Sequence, residues 1–416
     1  MLKRIVAIIA IFIFSSIAWA ILGGTIFSRT YSVDAVSADR VSSTWGTAQD
    51  QTPPFASYTR TVPRKEESTE NGKKLVKIIQ EKVTSALPVE SSAIDVDLDL
   101  EHRQKGLLWY STYRVRFSGL YGFRNTSDRE ESIDFSFKLP TKQAVYDDLK
   151  FSVDGVTVPF RNEDGVANLS VKVPAGKDLK LNVGYRSQGM NEWRYSFGSA
   201  VTQVRDFTLR MTTNFKDIDF PDNTISPSKK METADGWDLT WRYENLLSGY
   251  QIAMTMPEKL QPGPLAGKIS FFAPVSLFFF FFVMLIITTI RGIELHPMNY
   301  FFIAAAFFSF HLLLAYLVDH ISIHLAFVIS SVVSIFLVVS YLRLVVGIRF
   351  ASREAALAQF VYLVAYSYAF FLEGFTGLAV TIGSIVTLFV AMQSTGRIRW
   401  AERFAVRPLE SPAGQL

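Results

Sequence analysis

Residues 269–290 read ISFFAPVSLFFFFFVMLIITTI and carry no charged side chain. About 20 apolar residues rising ~1.5 Å each are enough to cross ~30 Å of hydrocarbon. Inside a bilayer every backbone N–H and C=O must be satisfied within the protein, so a run of this kind is confined to a helix. Five more runs meet the same requirement, at roughly 5–23, 300–318, 321–342, 355–373 and 375–392. The last two are separated only by Glu373 and Gly374, so a tight hairpin that reaches less than fully across is the alternative there.

The 416 residues therefore divide unevenly. An anchor is expected at 1–27, a polar domain at 28–262, five membrane helices within 263–396 and a basic tail at 397–416. The mean hydropathy of +0.21 averages these unlike parts. Residues 24–262 hold 31 Lys and Arg against 32 Asp and Glu, which is near neutral. The remainder holds 11 basic and 6 acidic residues. The calculated pI of 9.0 thus reflects membrane flanks, and no nucleic-acid partner is expected. The absence of Cys excludes disulfides, thiolate metal sites and cysteine nucleophiles.

Basic residues collect on the cytoplasmic side of a membrane protein. With Lys3 and Arg4 inside, Arg291, then Arg343, Arg349 and Arg353, and finally Arg397, Arg399, Arg403 and Arg407 all fall inside. Ten of the eleven basic residues outside 24–262 then lie in the cytoplasm, and Lys268 is the exception. Both termini are expected in the cytoplasm, with the polar domain on the outer side of the membrane. Ala18-x-Ala20 suits a signal-peptide cleavage site, but the apolar run continues to Phe27. That exceeds the ~7–15 residues of a signal-peptide core and favours an uncleaved anchor.

The polar domain alternates. In AIDVDLDLEHR, Ile94, Val96, Leu98 and Leu100 interleave with Asp95, Asp97, Asp99 and Glu101, which places carboxylates on one strand face. A calcium loop of the EF type would need Gly at its sixth position, where Leu100 stands. Further strand patterns include TYRVRFSGLY, SIDFSFKLP, LKFSVDG, ANLSVKVP, LKLNVGYRS, FTLRMTTNF and WDLTWRYEN. Asp154-Gly155, Asp164-Gly165 and Gly176-Lys177 read as turns. Many short strands with regular turns predict a β-sandwich. Residues 63–87 differ, with Leu75, Ile78, Ile79 and Val83 at helical spacing, and predict a helix or a linker.

Motifs for catalysis are missing. No serine elbow, phosphate loop or His-Glu-x-x-His pattern stands in a suitable context, so no catalytic residue, cofactor or metal is assigned and no enzyme is expected. His320 and His324, four apart, together with Asp319 could form a small cluster or simply mark helix ends. His311 lies within the 300–318 run, where an ionisable side chain is a functional candidate by default. The alternative is a neutral imidazole hydrogen-bonded to a neighbouring helix. Glu373 sits at the end of the 355–373 run.

ELHPMNY (294–300), DHISIHLAF (319–327), YSYAFFLEGF (366–375), GSIVTLFVAM (383–392) and RIRW (397–400) together resemble the CreD family of bacterial inner-membrane proteins, also called cell envelope integrity proteins. STWGTAQDQTPPF (43–55) is similar to that family's Trp-Gly and Gln pattern, and EHRQKG (101–106) to its Arg-rich turn into Gly. Arg399 stands where the family commonly has an acid, so no role of that acid is carried over. The resemblance implies an anchor, a large periplasmic domain and a C-terminal helical bundle. It marks His296, Pro297, Tyr300, Asp319, His320 and Glu373 as motif residues. It also implies a part in envelope integrity or stress response, without a mechanism.

The fold expected is thus an α+β membrane protein: an N-terminal anchor helix, a periplasmic β-sandwich-like domain and a five-helix bundle. The function expected is a non-enzymatic envelope protein whose partners are the lipid bilayer and a periplasmic or envelope protein. A transporter or lipid-handling bundle is the alternative.

Overall fold

The computed structural model describes residues 2–70, 73–105, 108–198, 202–372 and 374–396. It divides into two compact units. One draws on Met1–Ala35 and the chain from Leu260 onward, the other on Val36–Lys105 and Trp109–Lys259. The chain is a mixed α+β protein with an N-terminal helix, a large multi-sheet β unit and several apolar C-terminal helices.

Helix α1 runs Leu2–Trp45, well past the expected end of the anchor at residue 27. Residues 28–45 contain neither Gly nor Pro, so nothing in the backbone stops the helix there. It ends where Gly46 adopts a φ of 112°. A Cβ at this position would approach the Gln188 carbonyl oxygen to 2.4 Å, so the turn accepts only glycine.

Helices α2 (Pro262–Arg291), α3 (Pro297–Leu317), α4 (Ile323–Val345), α5 (Ile348–Phe371) and α6 (Thr376–Thr395) follow. Among the described residues, six helices including α1 are long and apolar enough to cross a membrane. Gly292, with φ 67°, closes α2 by donating its N–H to the carbonyls of Thr288 and Thr289. Trp19, Leu277, Phe280, Met284, Tyr300, Phe307, Phe310 and Leu314 are buried together. Phe14, Val332, Phe336, Ile385 and Phe389 are more than half exposed on the outside. An apolar exterior around an apolar core suits lipid, because water would drive such a surface to associate.

Among the described residues, the β unit contains three sheets. The largest runs, edge to edge, β14 (Lys229–Glu232), β15 (Trp237–Ser248), β13 (Thr202–Thr213), β4 (Ser91–Lys105), β5 (Leu108–Arg124), β11 (Asp178–Met190), β7 (Tyr146–Val153) and β8 (Val156–Thr157). The second runs β3 (Lys73–Leu87), β2 (Phe55–Glu70), β6 (Glu131–Lys138), β10 (Val166–Val173) and β9 (Arg161–Glu163). The third is β1 (Gln49–Gln51), β12 (Glu192–Tyr195) and β16 (Ile252–Thr255). Ile94, Val96 and Leu98 of β4 are buried while Asp95, Asp97 and Asp99 are exposed, as their alternation predicts. Asp154-Gly155 turns β7 into β8 with both φ angles positive, as a two-residue hairpin requires.

One core joins the two larger sheets. Phe137 of β6 meets Phe151 of β7 edge-on at 5.7 Å, and Phe135 meets Phe123 of β5 at 5.3 Å. Burying each such ring contributes about 1.5–3 kcal/mol relative to leaving it in water.

Residues 63–70 and 73–87 are strands, not the predicted helix or linker. β2 and β3 pair antiparallel from Ala56 opposite Leu87 to Glu70 opposite Lys73. The segment is rich in β-branched residues, including Val76, Ile78, Ile79, Val83 and Thr84, whose stiff side chains fit a pleated surface. Ala56, Tyr58 and Leu87 anchor the base of this ribbon in the shared core, and β2 also pairs with β6. Strand pairing with β2 and the β-branched composition therefore override the helical spacing of Leu75, Ile78, Ile79 and Val83.

Candidate functional site

Two places combine unusual side chains with space or burial. The first lies inside the helical unit. His311 is fully buried on α3, its Nδ1 3.2 Å from the Phe307 carbonyl one turn back. Its ring packs edge-on against Trp19 of α1 at 5.6 Å and against Phe310 at 4.9 Å. Nε2 has no protein partner among the described residues. His311 thus satisfies one nitrogen within its own helix, rather than bridging to a neighbour.

A second polar group joins α3, α4 and α5. Ser334 donates to the Ala306 carbonyl at 2.6 Å, and Gln359 Nε2 donates to Ser334 Oγ at 2.9 Å. Gln359 is fully buried, and its Oε1 has no protein partner among the described residues. It stands between two π-helical stretches of α5, Ala351–Ala355 and Phe360–Ala365. Such bulges are rare and gather at functional positions, because each leaves carbonyls free of the regular ladder. The one sequence signal for Gln359 is an amide inside an otherwise apolar run.

The second place is a cleft of about 620 Å³ in the β unit. Asp97, Asp99, Arg114, Arg116, Asp147, Arg186, Gln188 and Asn214 supply its polar lining. They come from β4, β5, β7 and β11 and from the residue after β13. The alternation that buries Leu98 and Val115 lifts these charges onto one face. Cross-strand pairs hold them: Asp97 accepts from Thr212 at 2.8 Å, Asp99 from Asn214 at 2.5 Å, and Arg186 donates to Asp147 at 2.9 Å. Arg114 reaches Glu101 at 3.0 Å. Exposed pairs of this kind contribute little stability. Their effect is to fix alternating charges around a concave surface.

Beneath the cleft the Gln pattern of residues 43–55 finds a structural use. Gln51 is fully buried; it accepts from Tyr185 Oη at 2.9 Å and donates to the Thr52 and Lys138 carbonyls. One amide on β1 therefore touches β11 and the end of β6, tying three sheets together. Burial pushes the Tyr185 hydroxyl well above its ordinary pKa, so it remains a donor. Gln49 donates to Ser187 Oγ at 2.9 Å and to the Gln188 carbonyl at 3.0 Å.

The motif residues are dispersed. His296 caps α3, its Nδ1 accepting from the Met298 N–H at 3.3 Å, and Pro297 is the first helical residue. Tyr300 is buried edge-on to Phe281 at 5.3 Å. Asp319 pairs with Arg29 of α1 at 3.1 Å. His320 is exposed in the turn before α4, whereas His324 lies on α4 with its ring 5.2 Å from Phe371. The two histidines do not share one helix, and no grouping of three metal-capable side chains occurs among the described residues. Glu373 and RIRW (397–400) lie outside the described residues.

Comparison with known proteins separates sequence from fold. The family described as inner membrane protein CreD matches residues 1–401. No curated protein matches the chain. Among solved structures, a putative nutrient binding protein from Legionella pneumophila subsp. pneumophila str. Philadelphia 1 is similar over 56% of this chain and 76% of its own, at 10% identity and TM-score 0.33. An M1 zinc metallopeptidase from Deinococcus radiodurans covers 41% of this chain and 42% of its own, at 10% identity and TM-score 0.27. Leukotriene A4 hydrolase from Saccharomyces cerevisiae covers 41% and 29%, at 11% identity and TM-score 0.25. The chain spans less than half the length of those two enzymes, and overlaps this loose carry no argument about activity.

Proposed function

The chain belongs to the CreD family of inner membrane proteins, and from that premise we propose that it is a non-enzymatic membrane-anchored binding protein serving envelope integrity. Its β unit takes the periplasmic side and the two termini the cytoplasmic side. The two larger sheets act as a sandwich-like support for the cleft, and five C-terminal helices form the bundle that anchors it. The single observation carrying this reading is the 620 Å³ cleft whose Asp and Arg side chains stand on four neighbouring strands. Alternating charges carried on a sheet suit recognition of a polar envelope component, since the backbone that places them is already ordered. The helices supply attachment through their apolar exterior.

A transport or lipid-handling bundle is the second reading, and His311 Nε2 and Gln359 Oε1 favour it. Against it, the His311 ring is enclosed by Trp19, Phe307 and Phe310, which offer an ion no polar step.

Charge reversal separates the readings. Arg116→Glu removes a cleft cation from an exposed strand position while leaving the helices intact. Cells dependent on that variant are expected to lose tolerance to envelope stress at unchanged protein level. Full tolerance with Arg116→Glu and Arg186→Glu combined would remove the cleft from the function.

A further inference from the structure

At one end of the helical unit lies a smaller cavity of about 470 Å³, lined by Arg291, Ile293, Arg349, Phe350, Glu354 and the 346–348 turn. Arg291 is the last residue of α2, and Gly347, with φ 113°, makes the turn between α4 and α5. The cavity therefore sits at the level where helices leave the apolar layer. Its lining agrees: Ile348 is 53% exposed, so an alkyl side chain borders it on the outside. A site with charged walls and an apolar rim matches a molecule that is itself charged at one end and apolar at the other.

The charges inside are of both signs. Arg291 Nη2 contacts Glu354 Oε1 at 2.5 Å. The other carboxylate oxygen, Glu354 Oε2, is buried and has no protein partner among the described residues. Arg349 is exposed and forms no ion pair with another described residue. The cavity thus offers Arg349, together with the already paired Arg291, for an anionic group and one carboxylate oxygen lacking a donor. A simple anion would use Arg349 but meet the Glu354 carboxylate. A phosphodiester carrying an ammonium a few bonds away satisfies both.

We propose that this cavity binds the headgroup of an aminophospholipid, with its phosphate on Arg349 and Arg291 and its ammonium on Glu354 Oε2. Basic pockets at helix ends are established places for phospholipid headgroups, and the carboxylate adds selection for the zwitterion through a charge-assisted hydrogen bond. The assignment does not depend on what the β unit binds.

The test uses the full chain in detergent, titrated with short-chain phosphatidylethanolamine, short-chain phosphatidylglycerol and inorganic phosphate, with bound lipid read by native mass spectrometry. Phosphatidylethanolamine is expected to bind roughly tenfold more tightly than phosphatidylglycerol, the effect of one charge-assisted contact. Arg349→Gln should weaken both lipids, Glu354→Gln should erase the preference between them, and Arg343→Gln, which lies outside the cavity, should change neither. Arg349→Gln removes no ion pair among the described residues, so it reports even where Glu354→Gln lowers the yield of folded protein. Equal binding of the two lipids to the unaltered protein, displacement of lipid by millimolar phosphate, or indifference to Arg349→Gln would each overturn the assignment.

Discussion

At the residue scale the buried amides and imidazole carry different burdens. Gln51 holds three sheets through one side chain, so Gln51→Ala leaves the Tyr185 hydroxyl and a Lys138 carbonyl short of a partner. Unsatisfied buried groups cost about 1–3 kcal/mol each. A lower thermal midpoint of the β unit, read by circular dichroism, is the expected result. His311 divides the two readings of the helices. His311→Asn keeps a hydrogen-bonding side chain without a titratable ring, and His311→Leu removes both. Envelope-stress tolerance should survive Asn, while Leu lowers protein level modestly, since it removes a ring packed against Trp19 and Phe310 and a hydrogen bond made within α3. An Asn variant that is abundant yet inactive would favour transport. His311 was legible in the sequence because an imidazole in an apolar run stands out. Gln359 was not, because the π-helical turns that isolate it depend on how α5 packs, which no periodicity reveals.

At the element scale the strands of the large sheet were legible wherever one face is buried. Ile94, Val96 and Leu98 alternate with exposed Asp residues, and the alternation survives into the structure. The β2–β3 ribbon was not legible, because Val62, Ile78 and Val83 are exposed rather than set in the core that would impose alternation. Among the described side chains of the ribbon, Ala56, Tyr58 and Leu87 at its base join that core. The end of α1 was missed for the opposite reason: the polar residues after Phe27 mark where the apolar run stops, not where the helix does. These elements change where a self-standing β segment must begin. Residues 88–262 lack β1, β2 and β3, and with them Gln49, Gln51 and the pairing of β2 with β6. Residues 36–259, expressed alone, should give a cooperative β-type melt, and 88–262 should be less stable or aggregate. Equal stability of the two segments would show that β1 and β2 are dispensable.

At the scale of the whole molecule, apolar helices and a polar β part were legible from hydropathy, and the placement of Arg and Lys supplies an expected direction that a fusion tests. The structure adds ion pairs to both turns of α3 and its neighbours. Arg29–Asp319 fixes α1 to the turn after α3, and Arg291–Glu354 fixes the end of α2 to α5. The charge rule predicts activity for a periplasm-dependent reporter fused after Pro257 and silence for one fused after Leu416. A C-terminal fusion that is active would reverse the assignment of sides.

The cleft was invisible in the sequence, because Asp97, Arg116, Arg186 and Asn214 are brought together only by the order of strands β13, β4, β5 and β11. It is also where the account is most exposed. A photo-crosslinking amino acid placed at Gln188, on the cleft lining, should capture a discrete envelope component in living cells, and one placed at Ser170, on the other large sheet, should not. Capture from Ser170 but not from Gln188, or identical background from both, would contradict a binding role for the cleft.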